Sequence, residues 1–279
     1  MIGREEESVM NRGVMEKRDE DPFEAESRPH IRVEGLVMAY GEKVIQRDLS
    51  FTIGRGEIFI IMGGSGCGKS TLLRHLIGLM PPAAGRIDFD GVDFWGAGEK
   101  ERARLMRRCG VLYQRGALWS SLNLMENIAL PLREYTGLKA AQVRELVSLK
   151  LSLVGLPGFE GHYPAQLSGG QQKRAALARA MALDPEILFL DEPSAGLDPI
   201  SARQLDDLIL ELRESLGSTV VVVTHELASI FAIGTNSVFL DAEEKTMIDQ
   251  GPPRQLLEKS SKSKVRRFLT RGEEGRDNP

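Results

Sequence analysis

The 279-residue sequence predicts an α/β fold in which a mainly parallel sheet, covered on both faces, is interrupted by a helical insertion. Three observations carry that expectation. Short runs of near-continuous Val, Ile and Leu alternate with stretches of helical periodicity, the pattern of strands buried on both sides. One run, Ile58-Phe59-Ile60-Ile61-Met62, stops at a glycine-rich loop, and helix-type spacing resumes at Leu72-Leu73-Arg74-His75-Leu76-Ile77. A second run, Ile187-Leu188-Phe189-Leu190, ends in the adjacent carboxylates Asp191 and Glu192.

The elements follow in order. Residues 1–28 are charge-dense with few large apolar side chains and are expected to form a disordered tail, with Met10 and Met15 as alternative starts. Strand-type runs occupy 31–38, 49–53, 58–62 and 86–89. Asn123-x-x-Glu126 has the spacing of a helix-start capping pair. Val143, Leu146, Val147, Leu151 and Val154 then share one helical face until Gly155-Leu156-Pro157-Gly158 breaks it. Strand–helix alternation resumes with runs at 187–190, 220–223 and 237–240, and no internal repeat interrupts it. The run from Lys259 to Leu269 is basic with an apolar end; a solvated tail is the expectation, contact with anionic lipid headgroups or a regulatory partner the alternative.

Composition bounds the function. With 42% hydrophobic and 27% charged residues the chain is globular, long enough for one sizeable domain or two small ones. A net charge of −4 argues against general nucleic-acid binding, so no nucleic-acid partner is expected. No apolar run approaches the roughly 20 residues that cross a bilayer. The first residues lack the apolar core of a signal peptide. Cys67 and Cys109 are the two cysteines; Cys67 falls inside the glycine loop, so a disulfide is not expected and a reducing compartment is.

The loop Gly63-Gly64-Ser65-Gly66-Cys67-Gly68-Lys69-Ser70-Thr71 fits G-x-x-x-x-G-K-[ST] between a strand and a helix. Glycines let backbone N–H groups curl around phosphate oxygens, and the positive end of the following helix adds to the attraction. Lys69 supplies a point charge to the β- and γ-phosphates, and the Ser70 hydroxyl suits a Mg²⁺ ligand. These features predict binding of a nucleoside triphosphate. Asp191 and Glu192 sit where a parallel strand delivers side chains to the ligand crevice: Asp191 suits contact with Mg²⁺, Glu192 activation of the attacking water. In Leu167-Ser168-Gly169-Gly170-Gln171, Ser168 can cap a helix while the glycines open its N-terminal amides to an anion, although a bland Ser-Gly-Gly helix start is also common.

Together Gly63–Thr71, Leu167–Gln171 and Leu188–Pro193 resemble the Walker A, signature and Walker B motifs of the ATP-binding cassette superfamily. The resemblance covers roughly Ile31 to Leu257. It implies a P-loop NTPase core spanning residues 29–258, with an antiparallel β subdomain and a helical subdomain near 115–178. Further positions follow by match. Tyr40 resembles the aromatic platform under adenine, with an ordinary surface or core tyrosine as the alternative. Gln114 resembles the residue that touches Mg²⁺ and water and relays nucleotide state to a membrane partner. Ser194–Asp198 resembles the loop through which Asp198 communicates across a dimer, and His225 the switch histidine at the γ-phosphate. His30, His75 and His162 lack such contexts and are expected to be structural or solvent-facing. The family's head-to-tail packing implies an ATP-sandwich homodimer in which Ser168 and Gly170 complete the partner's site, with ATP and Mg²⁺ as cofactors.

Within the superfamily, the segments Gln114–Leu122 and Ala129–Glu134, with Ser194–Ser201 and Thr224–Ile233, are similar to the ATPase subunit of Mce/Mla-type lipid transporters. Arg115 and Trp119 depart from the serine and phenylalanine usual there. This resemblance implies an ATPase on the cytoplasmic face of a bacterial inner membrane. It would work with an integral-membrane permease and a periplasmic Mce-type lipid-binding protein, moving phospholipid or another hydrophobic substrate. A cassette for another solute, such as an amino acid, and a soluble non-transport cassette ATPase are the alternatives. Arg115–Leu122 is expected to be the permease-docking surface, with Leu118 and Trp119 as apolar anchors.

Overall fold

A computed structural model describes residues 29–114 and 116–272. The expected tail over 1–28, Arg115 and the last seven residues lie outside the described residues.

The first layer is an antiparallel sheet in the order β2-β1-β4-β5: β1 (Ile31–Tyr40), β2 (Lys43–Ile53), β4 (Ala84–Phe89) and β5 (Val92–Asp93). Alternation on β1 turns Ile31 and Val33 inward, a bulge follows at Gly35, and Leu36 and Met38 take up the inward face again. That bulge explains Gly85 on β4. A Cβ there would lie 2.4 Å from the Gly35 carbonyl oxygen, and φ is +87°, so only glycine fits.

The second sheet has the order β10-β9-β3-β8-β7-β6. Parallel pairing joins β3 (Ile58–Gly63), β6 (Cys109–Leu112), β7 (Ile187–Asp191), β8 (Thr219–Val223) and β9 (Asn236–Asp241). Only β10 (Thr246–Gln250) runs antiparallel, against β9. All six residues of β3 and all five of β8 are buried. Successive side chains alternate between two cores. Phe59, Ile61, Val221 and Val223 meet the antiparallel sheet and α1 (Lys69–Leu76), while Ile58, Ile60, Val220 and Val222 meet the helical side. Each such aliphatic side chain contributes roughly 1.5–3 kcal/mol relative to exposure.

After α2 (Glu99–Arg107) and β6 the chain enters the helical insertion: α3 (Leu124–Tyr135), α4 (Ala140–Leu153), a 3₁₀ turn over Pro164–Gln166 and α5 (Gly169–Ala180). The Asn123–Glu126 capping box is present, with bonds of 2.8 and 2.9 Å satisfying two otherwise orphaned amides. Val143, Val147, Leu151 and Val154 are buried as one face, and Leu146 packs at its edge. Buried Asn127 on α3 ties down the preceding loop. It donates to the carbonyls of Trp119, Leu122 and Asn123 and accepts from the Trp119 amide at 2.8 Å.

The long α6 (Pro199–Leu216) ends at Gly217 in the left-handed region. Three short helices follow: α7 (Leu227–Ile233), α8 (Pro253–Lys259) and α9 (Ser263–Leu269). Here the structure corrects the expectation of a solvated tail from Lys259. Val265 and Leu269 are buried, and the Phe268 ring packs edge-on against Phe239 with centroids 5.2 Å apart. Lys264 is bonded to Asp241 and Glu243. The basic residues are the outer face of an amphipathic helix docked on the core. The three remaining histidines are structural as expected. His30 is buried against the Thr219 hydroxyl, His75 is bonded to the Met80 carbonyl and His162 stacks on Phe159.

Candidate nucleotide site

The site begins where β3 ends. Gly63 has φ +148°, and a Cβ there would strike the Leu240 carbonyl oxygen at 2.3 Å. Gly68, with φ +101°, is the N-cap of α1 and contributes no side-chain bond, so the first amides of that helix stay open. Lys69 folds back so that its ammonium donates to the carbonyls of Gly63 at 2.9 Å and Gly64 at 3.0 Å. The Cys67 side chain is buried beneath the loop, which pushes its thiol pKa up. Its part in the loop is therefore played by its backbone. Gln46, fully buried on β2, donates to the Cys67 carbonyl at 2.6 Å and the Asp241 carbonyl at 2.8 Å, bolting the loop to both sheets.

The carboxylates arrive from β7. Ser70 Oγ lies 3.4 Å from Asp191 Oδ1. Burial, and then the charge of Glu192, raise the Asp191 pKa, while the Ser70 hydroxyl pulls it back. Glu192 has φ +46°, a conformation that costs a side-chain-bearing residue of order 1–3 kcal/mol unless neighbours enforce it. Those neighbours are visible. The Glu192 amide donates to the Val223 carbonyl at 2.8 Å, and the Glu192 carbonyl accepts from Lys173 at 3.3 Å. Oε1 meets His225 Nδ1 at 2.7 Å. Oε2 is buried with no partner among the described residues, an open acceptor of the kind a water proton would fill.

A cleft of about 650 Å³ gathers the glycine loop, Lys69, Ser70, Thr71, Gln114, Glu192 and His225. Leu227 and, from the C-terminal helix, Phe268 also line it. Gln114 follows β6, and its carbonyl accepts from Lys173. Lys173 is buried on α5, and burial lowers its pKa against the pull of Asp191 and Glu192.

Several expected residues stand apart from this cleft. Tyr40 is 45% exposed at the rim, its hydroxyl accepting from Arg74 at 3.1 Å. Hydrogen bonding, first with Thr71 and then with Arg74, lowers the phenol pKa. Ser168 caps α5, accepting from the Gln171 amide at 3.3 Å while the Gln171 side chain accepts from the Ser168 amide at 2.9 Å. Ser168 and Gly169 are exposed, and neither they nor Gly170 and Gln171 line the cleft. Asp198 caps α6 through the amides of Ile200 and Ser201, and its bonds with Ser201 hold its carboxyl below the usual range. Gln46, Lys173 and Asn127 escaped the sequence reading. Gln46 stands beside Arg47 and Asp48, Lys173 among Gln171, Gln172 and Arg174, and Asn127 beside Glu126, so nothing local in the sequence marked them out.

The glycine loop, the paired strand-end carboxylates and a second, outward-facing Ser-Gly-Gly helix start define a nucleotide-binding cassette of the P-loop class. Residues 46–195 match the family described as ABC transporter. The chain is 41% identical over 239 residues to the probable ribonucleotide transport ATP-binding protein mkl of Mycobacterium tuberculosis, a span of 86% of this chain and 66% of that relative's length. To the intermembrane phospholipid transport system ATP-binding protein MlaF of Haemophilus influenzae it is 40% identical, over 86% of this chain and 89% of the relative. The solved cassette MJ0796, a dimeric post-hydrolysis state bound to ADP and Pi, superposes with a TM-score of 0.72 at 30% identity. That alignment covers 79% of this chain and 97% of MJ0796. The cbiO1 protein of Clostridium perfringens, part of the ABC transporter complex cbiONQ, gives 0.76 at 29% identity over 83% of this chain and 91% of its own. The chain belongs to the ABC transporter family and carries its ATPase domain. Among the described residues, no helix is long and apolar enough to cross a membrane.

Proposed function

We propose that this chain is the ATP-hydrolysing subunit of a transporter that moves phospholipid or another hydrophobic substrate across a bacterial envelope. The observation that carries the enzymatic part is the convergence of Lys69, Ser70, Glu192 and His225 on one cleft, with Asp191 reached from it through the Ser70 hydroxyl. The amides of the glycine loop and of the start of α1 cradle the phosphates, and Lys69 exchanges its two carbonyl partners for phosphate oxygens. Ser70, Asp191 and Gln114 offer the hard oxygen donors that Mg²⁺ takes, and the close approach of Ser70 to Asp191 fits such a site. Bound there, the ion would neutralise charge on the β- and γ-phosphates. Glu192 accepts the proton of the attacking water through its open oxygen, while His225 holds the other oxygen in place. Tyr40 stacks on adenine at the rim.

The outward position of Ser168, Gly169, Gly170, Gln171 and Asp198 supports a head-to-tail homodimer in which each signature helix completes the partner's site, at the cytoplasmic face of the inner membrane. The loop around Trp119, pinned by Asn127 and 56% exposed at Trp119, supports docking of a membrane permease. Leu118 packs partly on the helical core, which leaves Trp119 as the free anchor. A phospholipid-type substrate and an Mce-type lipid-binding partner rest on the Mce/Mla-like segments and on the phospholipid-transport name of the Haemophilus relative. The mycobacterial relatives' name favours a second reading, transport of a ribonucleotide.

Glu192→Gln tests the enzymatic part. It should keep MgATP binding, lose ~10²–10⁴-fold in turnover and hold the dimer together with ATP; turnover equal to wild type would sink the assignment. For the substrate, ATPase of the permease complex in nanodiscs should rise on adding phospholipid and stay flat with ribonucleotides, and the reverse would favour the second reading.

A further inference from the structure

We propose that Lys173 is a positioning residue that ties the signature helix of one subunit to the nucleotide in that same subunit's cleft, so that occupancy of one ATP site is felt at the other. The inference rests on the hydrolytic dimer proposed above. It starts from a cation in an unusual place. Lys173 lies in the first half of α5, downstream of the Ser168–Gly170 helix start, and is 8% exposed. A buried ammonium is costly unless it is bonded and offset by charge. Both partners of Lys173 belong to the nucleotide cleft. Its Nζ donates to the backbone carbonyl of Gln114 and, at 3.3 Å, to that of Glu192. The carboxylates that offset its charge are Asp191 and Glu192.

Two carbonyls held by one ammonium make the positions of Gln114 and Glu192 interdependent, and both depend on where α5 stands. The Glu192 bond also acts on a left-handed residue, whose backbone has an alternative conformation to relax into. A second cavity, of about 310 Å³, marks the junction: Lys173, Gly169, Gly116 and Leu197 all face it. At that junction the helix start leans on the loop that follows Glu192. A Cβ on Gly169 would sit 3.6 Å from Leu197, and one on Gly170 would sit 3.5 Å from Ser201. Nucleotide that draws Gln114 and Glu192 toward the γ-phosphate therefore moves the root of α5, and with it the Ser168–Gly170 surface offered to the partner.

The test uses the full chain in the Glu192→Gln background, where ATP is not consumed. Glu192→Gln alone is expected to dimerise on MgATP by size exclusion, and its failure to do so would fault the underlying reading and not Lys173. In that background Lys173→Gln, and separately the volume-matched Lys173→Met, should leave MgATP affinity of the monomer within about two-fold. They should raise the ATP concentration for half-dimerisation ~5–150-fold, the usual range of inter-site coupling. In the hydrolysing chain the same substitutions should lower the Hill coefficient for ATP toward unity. Dimerisation and Hill coefficient unchanged from the parent would overturn the proposal. A second measurement needs no change at Lys173. In Ser168→Arg, which blocks the signature surface and keeps the chain monomeric, MgATP should slow amide hydrogen exchange along α5 as well as in the glycine loop. Slowing confined to the glycine loop would overturn the proposal independently.

Discussion

Asp206 offers a perturbation whose sign and size follow from its surroundings. The side chain lies on α6, 3% exposed, with Oδ2 accepting from the Ser229 hydroxyl at 2.9 Å. Oδ1 is buried with no partner among the described residues. Burial pushes its pKa up to about 6 from an ordinary 3.8; the Ser229 hydroxyl and Arg203 pull it partway back, and Asp207 adds to the rise. Between those two values the folded state keeps a proton that the unfolded chain has released. The stabilisation this gives is complete below the unfolded value and is lost as pH rises through about 6. Above that, the protein carries a buried, half-satisfied carboxylate.

The shift, about 6 less 3.8, is roughly 2 pH units, which at ~1.4 kcal/mol each sets an upper bound near 3 kcal/mol. A cavity of about 280 Å³ beside the carboxylate admits solvent, and screening reduces the effect to about 1–3 kcal/mol. Asp206→Asn keeps an acceptor for Ser229 and removes the charge, at a cost of ~1 kcal/mol for an unpaired amide N–H. The net gain is then up to about 2 kcal/mol, so the variant should melt up to about 8 °C higher than wild type near pH 8, since ~1 kcal/mol is worth about 2–4 °C in a chain of this size. Near pH 4.5, where the native carboxyl is protonated in the folded state, the advantage should vanish or reverse. Paired thermal melts of the two chains without nucleotide, followed by circular dichroism at both pH values, read the difference directly, because every other titrating group cancels. A variant less stable than wild type near pH 8, or an advantage that does not change with pH, would refute the assignment of a raised carboxyl.

Lys69→Ala removes the ammonium that bridges the two loop carbonyls and should abolish tight MgATP binding in isothermal titration; affinity unchanged from wild type would reduce the glycine loop to a turn. Trp119→Ala removes an exposed ring from a loop held by Asn127. It should weaken capture of the permease ~10-fold or more in pull-downs while ATP affinity stays put, and full-strength capture would exclude this loop as the docking surface.

Which parts of this molecule were legible in its sequence depends on whether the physical requirement is local along the chain. Binding phosphate needs consecutive amides and a lysine at a set distance, so Gly63–Thr71 could be read directly. The same holds for a carboxylate pair at a strand end, and for the Asn123–Glu126 capping box, whose two bonds span three residues. The residues that hold those segments against one another obey no such spacing. Gln46 bonds to Cys67 and to Asp241, 21 and 195 positions away, and Lys173 reaches Gln114 across 59. No window along the chain contains such pairs. β6 escaped for a different reason: four residues with a glycine at the second position carry too little pattern to stand out. Its Gly110 is dictated from outside, since a Cβ there would lie 2.2 Å from the Ala180 carbonyl oxygen. In the C-terminal segment the signal was present but outweighed. The charges of Lys262, Lys264, Arg266 and Arg267 suggest a solvated run, yet Val265, Phe268 and Leu269 stand at i, i+3 and i+4, the spacing of a buried helical stripe. Seven residues are too few for a helix to hold its shape alone. This one is ordered by the Phe239 ring beneath it and by Asp241 and Glu243 beside Lys264, groups supplied by β9 and the turn after it. The spacing could therefore be read in advance, but the surface that makes it pay could not.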